Sequence, residues 1–98
     1  MQYVYKYQKG FIFKTLVYVG ITNDLDRRHR EHLPEHRLFE TSKLYYIKVP
    51  TRKRAKKIES YLIRRYHPIL NKSEQGSEAF EMFHLPFIWR PFKKGVDY

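Results

Sequence analysis

The 98-residue chain contains no cysteine. A disulfide scaffold and a cysteine-based zinc site are therefore both excluded. No apolar run approaches the roughly 20 residues of a membrane span. The first ten residues, MQYVYKYQKG, lack the apolar core of a signal peptide. A cytosolic location, with no membrane partner, is the expectation. Acids are scarce as well. Ten Asp and Glu stand against twenty Lys and Arg, a net charge of +10. Such an imbalance points to a polyanionic partner, nucleic acid ahead of a membrane surface.

What the chain has in quantity is aromatic side chains, nine Tyr and seven Phe. That content argues against disorder and for a single small domain with its own core. Tyr3 to Tyr7 (YVYKY) reads as a strand, Gly10 as a turn, and Thr15 to Gly20 (TLVYVG) as the hairpin partner. TNDLDRRHREHL supplies N-cap candidates and first-turn acids, so a helix begins there and Pro34 stops it. Lys43 to Val49 is a third strand. Thr51 introduces a helix from Arg52 to about Tyr66, ended by Pro68. The order is ββαβα, an α+β class, followed by an aromatic and basic extension over 74–98 that Pro86 and Pro91 interrupt.

Both helices carry unsuitable residues on their inner faces. On a wheel of about 100° per residue, Leu25, Arg28, His29, His32 and Leu33 share one side of the first helix. Arg28 and His32 then lean towards the protein or a cleft in it. On the second helix, Ala55, Ile58, Leu62 and Tyr66 define the apolar stripe, and Glu59 lies inside its arc. Glu59 is also the only acid between Glu40 and Glu74. A carboxylate there is costly unless it is paired or binds a cation. An ion pair with Arg28 is one solution; coordination of a hard divalent ion such as Mg²⁺ is the other. The three histidines His29, His32 and His36 make a poor zinc set, because Pro34 separates His36 from the helix and no HExxH motif is present.

In their order and separations these residues resemble the GIY-YIG nuclease domain, over roughly residues 3 to 73. Tyr3-Val4-Tyr5 stands for the first element of its motif and Tyr18-Val19-Gly20 for the second. The helix with Arg28 and His32 follows, then Glu59 in AKKIESYLIRRYHP and Asn71 in HPILN. Tyr3 replaces a frequent glycine and Val19 an isoleucine. The resemblance implies a mainly antiparallel three-stranded sheet flanked by helices, and a core of residues 1–73. The extension, 74–98, lies outside it and either packs on the core or forms an interface.

The resemblance also implies an activity: metal-dependent endonucleolytic hydrolysis of DNA, with Mg²⁺, or Mn²⁺ in its place, held by Glu59. Arg28 would stabilise the charge of the phosphorane. Tyr5 would be the general base, if nearby cations acidify its phenol, and Tyr18, opposite it in the hairpin, would orient the water. His32 would take the proton instead or hold Tyr5, and Asn71 would fix the geometry by hydrogen bonding. Lys53, Arg54, Lys56, Lys57, Arg64 and Arg65, mostly on the outer helix face, are the expected contacts to the phosphate backbone. Cutting both strands of a duplex with one such site requires a homodimer or two visits, and a targeting partner protein is a separate option for choosing the site. Homing, phage-type and restriction enzymes are all settings for so small a nuclease. A catalytically silent nucleic-acid-binding module of the same fold is the alternative.

Overall fold

Alternation along Tyr3-Val4-Tyr5-Lys6-Tyr7 sends the three tyrosines to one face of a strand and Val4 and Lys6 to the other. Tyr3, Val4, Tyr5 and Tyr7 are all buried, so both faces of this strand are covered. The computed structural model describes residues 1–10, 15–71 and 88–93. The elements in order are β1 (Gln2–Lys9), β2 (Thr15–Thr22), α1 (Leu25–His32), α2 (Arg37–Thr41), β3 (Lys43–Val49), α3 (Arg52–Tyr66) and β4 (Arg90–Pro91). They form an antiparallel four-stranded sheet in the order β2-β1-β3-β4, within an α+β fold.

Each face of the sheet has its own core. Tyr3, Tyr5, Tyr7, Leu44 and Tyr46 pack with Leu25 of α1 and Phe39 of α2. Val4, Val19 and Val49 pack on the other face with Ala55, Ile58, Leu62 and Ile63 of α3. The inner face of α1 is as the wheel predicts: Leu25 and His32 are buried, Arg28, His29 and Leu33 half-buried, Arg27, Arg30 and Glu31 largely exposed. On α3 the stripe departs from expectation at its end. Ile63 takes the last buried position, and Tyr66 is exposed, with the Arg65 guanidinium 5.4 Å from its ring centre. Tyr66 is the final helical residue; His67 follows in the left-handed region at φ 46° and turns the chain away before Pro68.

Helix starts follow their caps. Asp24 accepts the Arg27 N–H at 3.1 Å to open α1, and Thr51 accepts the Arg54 N–H at 3.2 Å to open α3. Two elements were not anticipated. Helix α2 spans five residues, too few to display a period, and its cap is His36, whose Nδ1 accepts the Leu38 N–H at 3.0 Å. Strand β4 has only two residues and contains a proline, which an edge position tolerates. It adds to β3, and Phe92 donates its N–H to Leu44 O at 2.9 Å. Trp89 packs on the α3 side of the sheet and Phe92 on the α1 side. The remainder of the expected aromatic extension lies outside the described residues.

Candidate active site

The sheet register places the tyrosines. Tyr5 lies opposite Gly20, and Tyr7 opposite Tyr18. Tyr5 and Tyr18 are thus not the directly facing pair expected from the sequence. They are diagonal neighbours on one face, with ring centres 6.1 Å apart. Gly20 makes this arrangement possible. A methyl group there would stand 2.5 Å from Tyr5 Oη, 2.6 Å from Tyr5 Cζ and 3.0 Å from Tyr18 Cε2. Gly20→Ala should therefore destabilise the fold by about 1–3 kcal/mol through overpacking and push the Tyr5 hydroxyl out of place. Denaturant titration reads the first effect. An unchanged midpoint would mean that Tyr5 is less firmly seated than its burial implies.

Helix α1 lies across this face and brings two histidines onto two tyrosines. His32 Nε2 is 2.7 Å from Tyr5 Oη, and His29 Nδ1 is 2.7 Å from Tyr7 Oη. The spacing explains the double match. Alternate residues of a strand and residues three apart on a helix both step along one line of contact. The second pair, Tyr7–His29, was not foreseen, although its signal was the same as that of the first. The His32 ring stacks on Phe39 at 4.5 Å between centres and meets Tyr18 edge-on at 4.8 Å. Helix α2 thus forms the back wall that holds His32 in place. Burying an aromatic of this size is worth on the order of 1.5–3 kcal/mol.

Arg28, one turn before His32, is half-buried beside the same tyrosines and makes a 2.9 Å ion pair with Glu31. Burial works against the Arg28 charge, but the hydrogen bond to Glu31 and the neighbouring Tyr5 and Tyr18 outweigh it, so the guanidinium stays protonated. For Tyr5 the balance runs the other way. Burial first, then Tyr18, raise its phenol well above the ordinary range, and the pull of Arg28 does not compensate. The acidified phenol anticipated from the surrounding cations is therefore not present in the protein alone. Burial also lowers the His32 pKa below the ordinary 6.5, against the opposing hydrogen bond that His32 makes to Glu35.

The carboxylate of Glu35 sits 2.6 Å from His32 Nδ1. Sequence reasoning missed this residue. Its only signal was its place three residues after His32, and Pro34 appeared to end the helix before it.

Asn71 meets the free edge of β2. Its Oδ1 accepts the Val19 N–H at 2.8 Å, and its Nδ2 donates to Val19 O at 2.9 Å. The amide thereby imitates a neighbouring strand. Leu70 and Ile69 continue the contact by donating to Val17 O at 2.8 Å and Leu16 O at 3.2 Å. The segment after α3 is fastened in this way beside Tyr18 and Gly20.

Glu59 is half-buried on α3, the helix packed on the opposite face of the sheet from α1. Of the six residues singled out, then, Tyr5, Tyr18, Arg28 and His32 meet on one face, Asn71 holds the strand edge next to them, and Glu59 belongs to the helix behind. Lys53, Arg54, Lys56, Lys57 and Arg65 are exposed along α3, and Arg64 is half-buried. No helix among the described residues is long and apolar enough to cross a membrane.

No curated protein and no solved structure matches the chain. The model of the GIY-YIG catalytic domain matches residues 3–74, which take in both tyrosine elements, α1, Glu59 and Asn71. With its tyrosine–arginine–histidine group assembled on an α+β fold of this order, the chain belongs to the GIY-YIG catalytic-domain family, a family of nucleases.

Proposed function

We propose that this protein is a divalent-metal-dependent endonuclease that hydrolyses phosphodiester bonds of DNA, with double-stranded DNA as its substrate. The observation that carries the reading is the meeting of a charged Arg28, a neutral His32 and the hydroxyls of Tyr5 and Tyr18 on one face, beside the edge strand β2. In this reading the scissile phosphate sits against Arg28 and the hydroxyl ends of Tyr5 and Tyr18. Arg28 supplies positive charge where the pentavalent phosphorus gathers negative charge. Tyr18 orients the attacking water. Tyr5 receives its proton as its own passes to His32. Asn71 keeps the β2 edge in register with these groups.

The donor set bears on the metal. Among the described residues no group of three or more His, Asp or Glu is assembled into a cage. Mg²⁺ commonly takes one or two carboxylates and completes its shell with water and phosphate oxygens. We assign that role to Glu59, a carboxylate half-buried on α3 beside the apolar positions Ile58, Leu62 and Ile63, where a cation offsets the cost of its charge. When bound, the ion supplies Lewis-acid polarisation of the scissile phosphate and its leaving oxygen.

Plasmid DNA incubated with the protein and Mg²⁺ should be nicked or linearised, and EDTA should prevent it. Binding without cleavage under any divalent ion would instead identify a silent module. The exposed basic side of α3 is the proposed backbone contact. Replacing Lys53 and Lys56, which both face solvent, with alanine should leave folding intact and weaken DNA binding for any sequence. Each lost phosphate contact should flatten the salt dependence of log K by about 0.9. Turnover at saturating DNA should hold. An unaltered salt slope would move the DNA to another surface.

A further inference from the structure

We infer that Glu35 is a positioning residue, which holds His32 in the tautomer protonated at Nδ1 so that Nε2 stands ready to take the proton of Tyr5. This rests on the nuclease reading above and deepens it, by giving the proton of the attacking water a path out of the site.

The geometry makes the argument. A carboxylate is an acceptor only. With Glu35 Oε1 at 2.6 Å from His32 Nδ1, the proton of a neutral imidazole belongs on Nδ1, which donates to Glu35. Nε2 is then the lone pair, and the partner at 2.7 Å, Tyr5 Oη, must donate to it. The chain of hydrogen bonds therefore runs Tyr5 O–H to His32 and His32 N–H to Glu35. The His32 side chain is only 2 % exposed and that of Glu35 is 51 % exposed, so the relay leads from the buried phenol to solvent.

The surroundings of His32 show why a carboxylate is needed there. Tyr5 and Tyr7 face it from β1 and Tyr18 from β2, and α2 contributes the apolar ring of Phe39. From its own helix Arg28 opposes a positive imidazole, while Glu31 favours one. Burial and Arg28 both disfavour imidazolium, so proton uptake by His32 depends on the carboxylates. Glu35 is the one in direct contact. Tyr5, raised by burial, does not ionise by itself. It serves as a base only if its own proton leaves in the same step.

In that step an oxygen–phosphorus bond forms from water, and the ester bond on the far side breaks. The bonding pair stays on the departing oxygen, which takes a proton from solvent. The water proton passes to Tyr5 Oη, and the former Tyr5 proton to His32 Nε2. The resulting imidazolium is balanced by Glu35 and returns its proton to solvent before the next turnover.

Two variants of the full chain test this, with two readouts. In the ¹⁵N-labelled wild type, the assigned His32 nitrogens should show Nδ1 protonated and Nε2 bare. Glu35→Ala should abolish that preference. Glu35→Gln retains an acceptor oxygen and should keep the tautomer while losing the charge. Both should lower single-turnover cleavage roughly tenfold to a hundredfold, the effect usual for groups that orient a functional imidazole, with DNA affinity unchanged. Glu35 raises the His32 pKa, so its loss should move the acid limb of the pH–rate profile to lower pH. An unaltered tautomer in Glu35→Ala, or an unmoved acid limb in both variants, would overturn the inference and leave Glu35 a surface ion pair. A wild-type protein that cuts no DNA, yet loses its Nδ1–H preference on Glu35→Ala, would refute the nuclease reading and leave Glu35's control of His32 standing.

Discussion

Arg28→Ala should slow single-turnover cleavage about a hundredfold, a loss of roughly 3 kcal/mol in the transition state, while the affinity for uncleaved DNA barely changes. The reason is position. Arg28 stands in the first turn of α1, half-buried, next to the hydroxyl-bearing end of Tyr5 and away from the exposed basic side of α3. Before substrate arrives its guanidinium is engaged by Glu31 at 2.9 Å. A ground-state phosphate must compete with that carboxylate, which limits what Arg28 adds to binding. The doubly charged phosphorane competes better, so the interaction strengthens as the reaction proceeds. Arg28→Lys should restore little, because an ammonium cannot reproduce the planar fork. If cleavage and binding fall in parallel, Arg28 is a phosphate anchor and the stabilising charge must come from elsewhere.

Glu59→Ala should abolish Mg²⁺-dependent cleavage. A metal acting as Lewis acid supplies several kcal/mol, and a loss of about 4 kcal/mol is on the order of a thousandfold in rate. Two side effects run in the opposite direction and make the test clean. Removing one acid from a chain of net charge +10 should tighten DNA binding slightly. Alanine is a better helix former than glutamate, and Glu59 is only half-buried, so α3 should persist. The measurements are the single-turnover rate against Mg²⁺ concentration, DNA affinity, and thermal unfolding. An undiminished rate in the folded variant would remove Glu59 as the metal ligand.

Much of this was legible in the sequence because it depends on local periodicity. The alternation of Tyr3, Tyr5 and Tyr7, the i, i+3, i+4, i+7 spacing of Leu25, Arg28, His29 and His32, and the Ala55–Ile58–Leu62 stripe of α3 each declare a face, and the structure buries those faces. Asp24 and Thr51 open their helices, as their side-chain chemistry requires. The GIY-YIG membership and the α+β class follow from the same ordered residues.

Tertiary structure decided what depends on register and on residues distant in the chain. Hydrogen bonding across β1 and β2 put Tyr5 over Gly20, so that Tyr18 is its diagonal neighbour rather than its partner. Helix α2 is too short to have a period, yet its Phe39 is the wall behind His32. Glu35 follows a proline that appeared to end the helix, and only the turn beyond α1 returns its carboxylate to His32. The protonation of Tyr5 was also beyond the sequence. Nearby cations are visible there, but the burial that outweighs them exists only once two helices and a sheet have closed around the phenol.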